Sequence, residues 1–88
     1  MARGTVYLIH FDRPYRHAAH YTGWTADLPA RLATHAAGRG ARLMEVIKGA
    51  GIGWRLALAK PGDRREERRM KGRGGARRNC PMCRPPLG

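Results

Sequence analysis

The chain has 88 residues, with 18 Lys and Arg against six Asp and Glu and a formal net charge of +12. That length makes one domain that buries roughly 60% of its unfolded surface, so a metal staple would matter to it. All the cations but Lys48, Lys60 and Lys71 are arginine, whose planar fork matches phosphate geometry, so the balance predicts a polyanionic partner, nucleic acid before any other; no membrane is expected, because no apolar run is long enough to span one.

Gly4 to Phe11 alternates as a strand, with Val6, Leu8 and His10 on one face and Thr5, Tyr7, Ile9 and Phe11 on the other. Both faces are largely apolar, which predicts a central strand covered on both sides. Asp12-Arg13-Pro14-Tyr15-Arg16 is a turn signal. His20 to Trp24 reads as a second strand, and an antiparallel hairpin would bring Tyr7 near Tyr21. Asp27 is an N-cap, with Pro29 tolerated in the first turn of a helix that runs to about Ala37 and stops at Gly38. The basic glycine loop Gly38-Arg39-Gly40-Ala41-Arg42 follows. Leu43, Met44, Val46 and Ile47 suggest a second short helix, stopped by Gly49 and Gly51. Ile52 to Ala59 alternates Ile52, Trp54, Leu56 and Leu58 as a third strand, and Pro61-Gly62 turns the chain. Asp63 with Glu66 fits a capping box opening a third helix that includes Glu67 and Lys71.

The expected architecture is therefore α+β: a small three-stranded antiparallel sheet flanked by helices, in the order strand-strand-helix-helix-strand-helix. Residues 1–72 form the domain. Residues 73–88 form a basic Gly/Arg/Pro tail carrying Cys80-Pro81-Met82-Cys83. No apolar run approaches the ~18 residues of a membrane span. Val6-Tyr7-Leu8-Ile9 is too short for a signal-peptide core, so the expected setting is cytoplasmic.

The stretch Tyr21 to His35 organises the functional reading. It runs from strand end through a glycine turn to a helix carrying Arg31 and His35 one turn apart, on a shared face. A cation and a titratable ring beside a strand tyrosine suggest chemistry on an anionic group such as a phosphodiester.

These residues resemble the GIY-YIG nuclease domain. The two motifs that name the family stand here as Thr5-Val6-Tyr7 and Tyr21-Thr22-Gly23, on the first two strands. Arg31 stands where the family carries its helix arginine, His35 where a histidine often follows it, and Glu67 where a third-helix glutamate binds the divalent metal. The loop at Gly38 to Arg42 is similar to that of small stand-alone bacterial members. The resemblance covers about residues 4–71. Thr-Val replaces the first motif's Gly-Ile, and Trp24 stands where some members carry a lysine.

The resemblance implies a Mg²⁺- or Mn²⁺-dependent DNA endonuclease that needs no small-molecule cofactor. Glu67 would supply an oxygen ligand to the hard cation, and Arg31 would neutralise charge building on the phosphate. Tyr7 would accept a proton from the attacking water or position it. Tyr21 would orient water or phosphate, and His35 would shuttle a proton or hold a phosphate oxygen.

A second metal site is also expected. His17 and His20 are spaced His-x2-His, and Cys80 and Cys83 are spaced Cys-x2-Cys. In an intracellular protein these cysteines read as thiols or metal ligands. Together the four make a tetrahedral zinc set that would clip the tail onto the first hairpin. Arg39, Arg42, Arg73, Arg77 and Arg78 are candidates for phosphate contacts, which position DNA without reading its sequence. Specificity would then come from DNA structure or a partner protein. The competing reading is a non-catalytic, zinc-stapled basic domain that binds DNA or RNA. Tyr7, Tyr21, Arg31 and Glu67 favour the nuclease, because binding alone needs no such set.

Overall fold

The structure is a computed structural model and describes residues 4–71 and 80–82. Its elements are β1 (Gly4–Tyr15), β2 (Ala18–Thr25), α1 (Leu28–Ala36), α2 (Arg42–Gly49), β3 (Trp54–Gly62) and α3 (Arg64–Lys71). The three strands form one antiparallel sheet in the order β2-β1-β3, so β1 is central. The α+β arrangement and the element order are those read from the sequence.

The two apolar faces of β1 explain this arrangement. Tyr7, Ile9 and Phe11 pack with Met44 and Ile47 of α2 and with Ile52, while Leu28 and Leu32 of α1 lie against the same cluster. Val6 and Leu8 point to the other face, where Met70 of α3 and Cys80 cover them. Helices thus cover the central strand on both sides. Among the described residues, no helix is long and apolar enough to cross a membrane.

Caps set the helix starts. Asp27 accepts a hydrogen bond from the Ala30 amide at 3.1 Å, fixing the first turn of α1. Asp63 accepts from the Arg65 and Glu66 amides at 2.9 and 3.2 Å, opening α3. The Glu66 side chain pairs with Lys60 and Arg69 at 3.3 and 3.4 Å.

The strands depart from the expected bounds in two places. β1 continues through Asp12 and Pro14 to Tyr15, because its register with β2 is irregular between His10 and Tyr15 and its last pair with β3 is Phe11 with Trp54. Pro14 therefore interrupts no regular ladder. β3 starts at Trp54, later than expected, and extends over Pro61 to Gly62, where proline is tolerated on an edge strand. The alternation expected over Ile52, Trp54, Leu56 and Leu58 also breaks. Leu58 pairs with Leu8 but Leu56 pairs with Ile9, leaving Ala57 as an extra residue. This bulge switches faces, because the side-chain period of a strand is two. Trp54 joins the α1–α2 side and Leu58 the α3 side, while Leu56 stays 39% exposed.

Candidate active site

The sheet register places the two motifs side by side. Tyr7 faces Gly23 and Ile9 faces Tyr21. A side chain at Gly23 would overlap the Tyr7 ring and its hydroxyl. The glycine of the second motif therefore leaves the space that the tyrosine of the first one fills. Tyr7 and Tyr21 are tilted against each other with ring centroids 6.1 Å apart, and Tyr21 meets His35 edge-on at 5.2 Å.

His35 is the centre of this group. It projects from the last turn of α1 and is 1% exposed. Its Nδ1 lies 3.0 Å from the Arg39 carbonyl oxygen, which can only accept, so Nδ1 carries the proton of the neutral ring. Nε2 is then an acceptor, and the Tyr7 hydroxyl donates to it at 2.7 Å. The loop after α1 makes this possible. Gly40 has a φ of +85°, and a Cβ there would press on the His35 ring at 3.2 Å. Only a glycine lets the chain turn back so closely over the imidazole.

Burial lowers the His35 pKa from its ordinary value; the Arg39 carbonyl opposes this and the Arg31 charge adds to it. The ring is thus held neutral, ready to accept a proton. Tyr7 is shifted upward, mainly by burial, with Tyr21 and Glu67 adding and Arg31 opposing. It is a neutral phenol in the unliganded fold. Three of the expected site residues, Tyr7, Tyr21 and His35, are in contact, and the charges of Arg31 and Glu67, both half-buried, act on the Tyr7 hydroxyl from further off.

Glu67 fits a hard divalent ion. Its carboxylate is a half-buried oxygen donor that pairs with a cation, Lys71 Nζ, at 3.1 Å. Trp24 lies on the other face of the sheet, where its indole donates to the Gly62 carbonyl at 2.9 Å and Arg64 stacks over its ring at 5.0 Å.

The remaining expected residues are dispersed. Arg39 is exposed in the glycine loop, where its carbonyl meets His35, and Arg42 is exposed at the start of α2, where it pairs with Glu45 at 3.4 Å. Arg73, Arg77, Arg78 and Cys83 lie outside the described residues. His17 is exposed in the turn between β1 and β2. His20 and Cys80 do come together, with His10 as their neighbour. His10 was not among the expected ligands, although the hairpin register that aligns Tyr7 with Gly23 also sets His10 opposite His20.

The chain matches no protein-family model, no curated protein and no solved structure.

Proposed function

We propose that the protein is a metal-dependent DNA endonuclease that hydrolyses phosphodiester bonds at the Tyr7–His35 site, acting in the cytoplasm. The observation that carries this reading is the 2.7 Å bond from a buried tyrosine to a neutral histidine, with an arginine and a glutamate in electrostatic reach. Any buried tyrosine hydroxyl takes a hydrogen-bond partner; what supports a catalytic role here is that the acceptor is a titratable ring with its proton fixed on the other nitrogen by the Arg39 carbonyl.

The chemistry follows from the proton path. Tyr21, the more exposed phenol, holds the attacking water. As its oxygen forms a bond to phosphorus, the water passes a proton to the Tyr7 hydroxyl, which gives its own proton to His35 Nε2. Tyr7 therefore never becomes a free phenolate, which burial would oppose. The bond to the leaving oxygen breaks, and that oxygen takes a proton from solvent. Arg31 stabilises the charge on the phosphate oxygens. The phosphate charge in turn favours the imidazolium that His35 briefly becomes. Glu67 would hold Mg²⁺ or Mn²⁺, which supplies Lewis-acid polarisation of the phosphate when bound. Arg39 and Arg42 border the site and suit backbone phosphate contacts, joined in sequence by Arg73, Arg77 and Arg78.

The test is to incubate purified protein with supercoiled, branched and single-stranded DNA and Mg²⁺ or Mn²⁺, beside Glu67→Ala. Cleavage by the parent alone supports the assignment. Cleavage by both removes Glu67 from the site. Salt-sensitive binding without cleavage by either would favour the non-catalytic basic domain.

A further inference from the structure

We propose that His10, His20 and Cys80 form a structural zinc site on the face of the sheet opposite the tyrosines. His10 and His20 are paired across β1 and β2 and share the face of Val6 and Leu8. Cys80, fully buried among Val6, Leu8 and Met70, brings its thiol to the two rings from 70 residues away in sequence. The three ligand atoms all lie within 4.8 Å of one another.

The two separations at His10 match the edges of a coordination sphere. A tetrahedron with Zn–N of about 2.0–2.1 Å and Zn–S of about 2.3 Å has N···N edges of about 3.3–3.4 Å and N···S edges of about 3.5–3.6 Å. His10 Nδ1 stands 3.3 Å from His20 Nε2 and 3.5 Å from Cys80 Sγ. A metal ion between the three would take a lone pair from each.

The donor set selects the metal. Two imidazoles and a thiolate favour zinc over Mg²⁺, which prefers oxygen. Cys83, at the Cys-x2-Cys spacing of structural zinc sites, is the sequence's offer of a fourth ligand. The site would fasten the segment at Cys80 to the central strand and one edge strand. A domain with so small a core gains most from such a staple. The ion would lie across β1 from Tyr7 and Ile9, on the face that α3 covers through Met70.

The experiment is metal analysis with cobalt substitution on the full-length chain. Protein purified without chelator should carry about one equivalent of zinc, as a single structural site requires. Cobalt(II) in its place should give the visible bands of a tetrahedral site and a thiolate-to-cobalt band in the near ultraviolet. His10→Ala, His20→Ala and Cys80→Ser should each lose most of the bound metal, and Cys80→Ser should also lose or sharply weaken the thiolate band. Glu67→Gln should change neither readout, which separates this site from the catalytic one whether or not the protein cleaves DNA. Less than about a tenth of an equivalent of zinc in wild-type protein folded by circular dichroism, with no thiolate band on adding cobalt, would overturn the proposal. So would a thiolate band that survives Cys80→Ser unchanged.

Discussion

The two faces of the sheet use histidine in opposite ways. On one face a single histidine is buried against tyrosines, with each nitrogen assigned a hydrogen-bond role by its partner. On the other, two histidines and a thiol bring their ligand atoms within 4.8 Å of one another. We propose that the first arrangement moves a proton and the second holds a cation. What separates them is the company each ring keeps. A backbone carbonyl on Nδ1 fixes the tautomer of His35, whereas His10 has a sulfur and a second ring nitrogen beside its Nδ1, a donor set suited to a metal ion.

This contrast can be sharpened by perturbing one face at a time. Among the charged residues the largest effect belongs to Arg31→Ala, which should cut cleavage by about 10²–10³-fold through lost charge stabilisation on the phosphate. DNA binding, measured by fluorescence anisotropy, should change far less. Arg39→Ala and Arg42→Ala should show the reverse, with weaker binding and a shallower salt dependence. Next comes Gly23→Ala. The added methyl must displace the Tyr7 hydroxyl, and misplacement of about 1 Å costs on the order of 10²-fold in rate. Zinc content should stay unchanged, since Gly23 faces the tyrosines.

Acidity gives a third, smaller effect. The folded pKa of His35 lies below its ordinary value, so the folded state binds fewer protons than the unfolded one from about pH 6.5 down toward the lowered pKa. The stability contribution is complete above pH 6.5 and is lost as pH falls through that window. Denaturant melts across that window should show the loss in the parent, and His35→Gln should abolish that component. Cleavage by the parent should fall as acid protonates Nε2, since the relay needs it as an acceptor. Gly40→Ala should cost about 1–2 kcal/mol, the penalty of a left-handed backbone for a residue with a Cβ, with loss of the Tyr7–His35 bond visible in the imidazole NMR signals. The smallest change is Arg64→Ala, on the other face, where loss of the stacking over Trp24 should cost no more than about 1 kcal/mol by thermal denaturation.

How far the sequence reveals this molecule follows from the range of the interactions. Caps such as Asp27 and Asp63 act within one turn, so the helix starts were readable. The apolar runs on both faces of β1 made its central place readable as well. The contact of Tyr7, Tyr21 and His35 on the tyrosine face was legible because they sit at motif spacings on the consecutive elements β1, β2 and α1. The role of the Arg39 carbonyl was not, since a backbone group leaves no mark in residue identity. The β3 bulge was missed because alternation continues in the sequence while the backbone adds a residue. His10 was missed for a related reason: ligands were sought at short spacings, but its partners are set by strand register and by a segment 70 residues away.

The central claim is that the tyrosine face is catalytic, and the most direct measurement is the single-turnover cleavage rate of Tyr7→Phe beside the parent. The phenylalanine keeps the ring and removes the proton path. The account predicts a rate lower by about 10²–10⁴-fold, in protein that remains folded and keeps its zinc. Cleavage by Tyr7→Phe at the parent's rate would contradict it.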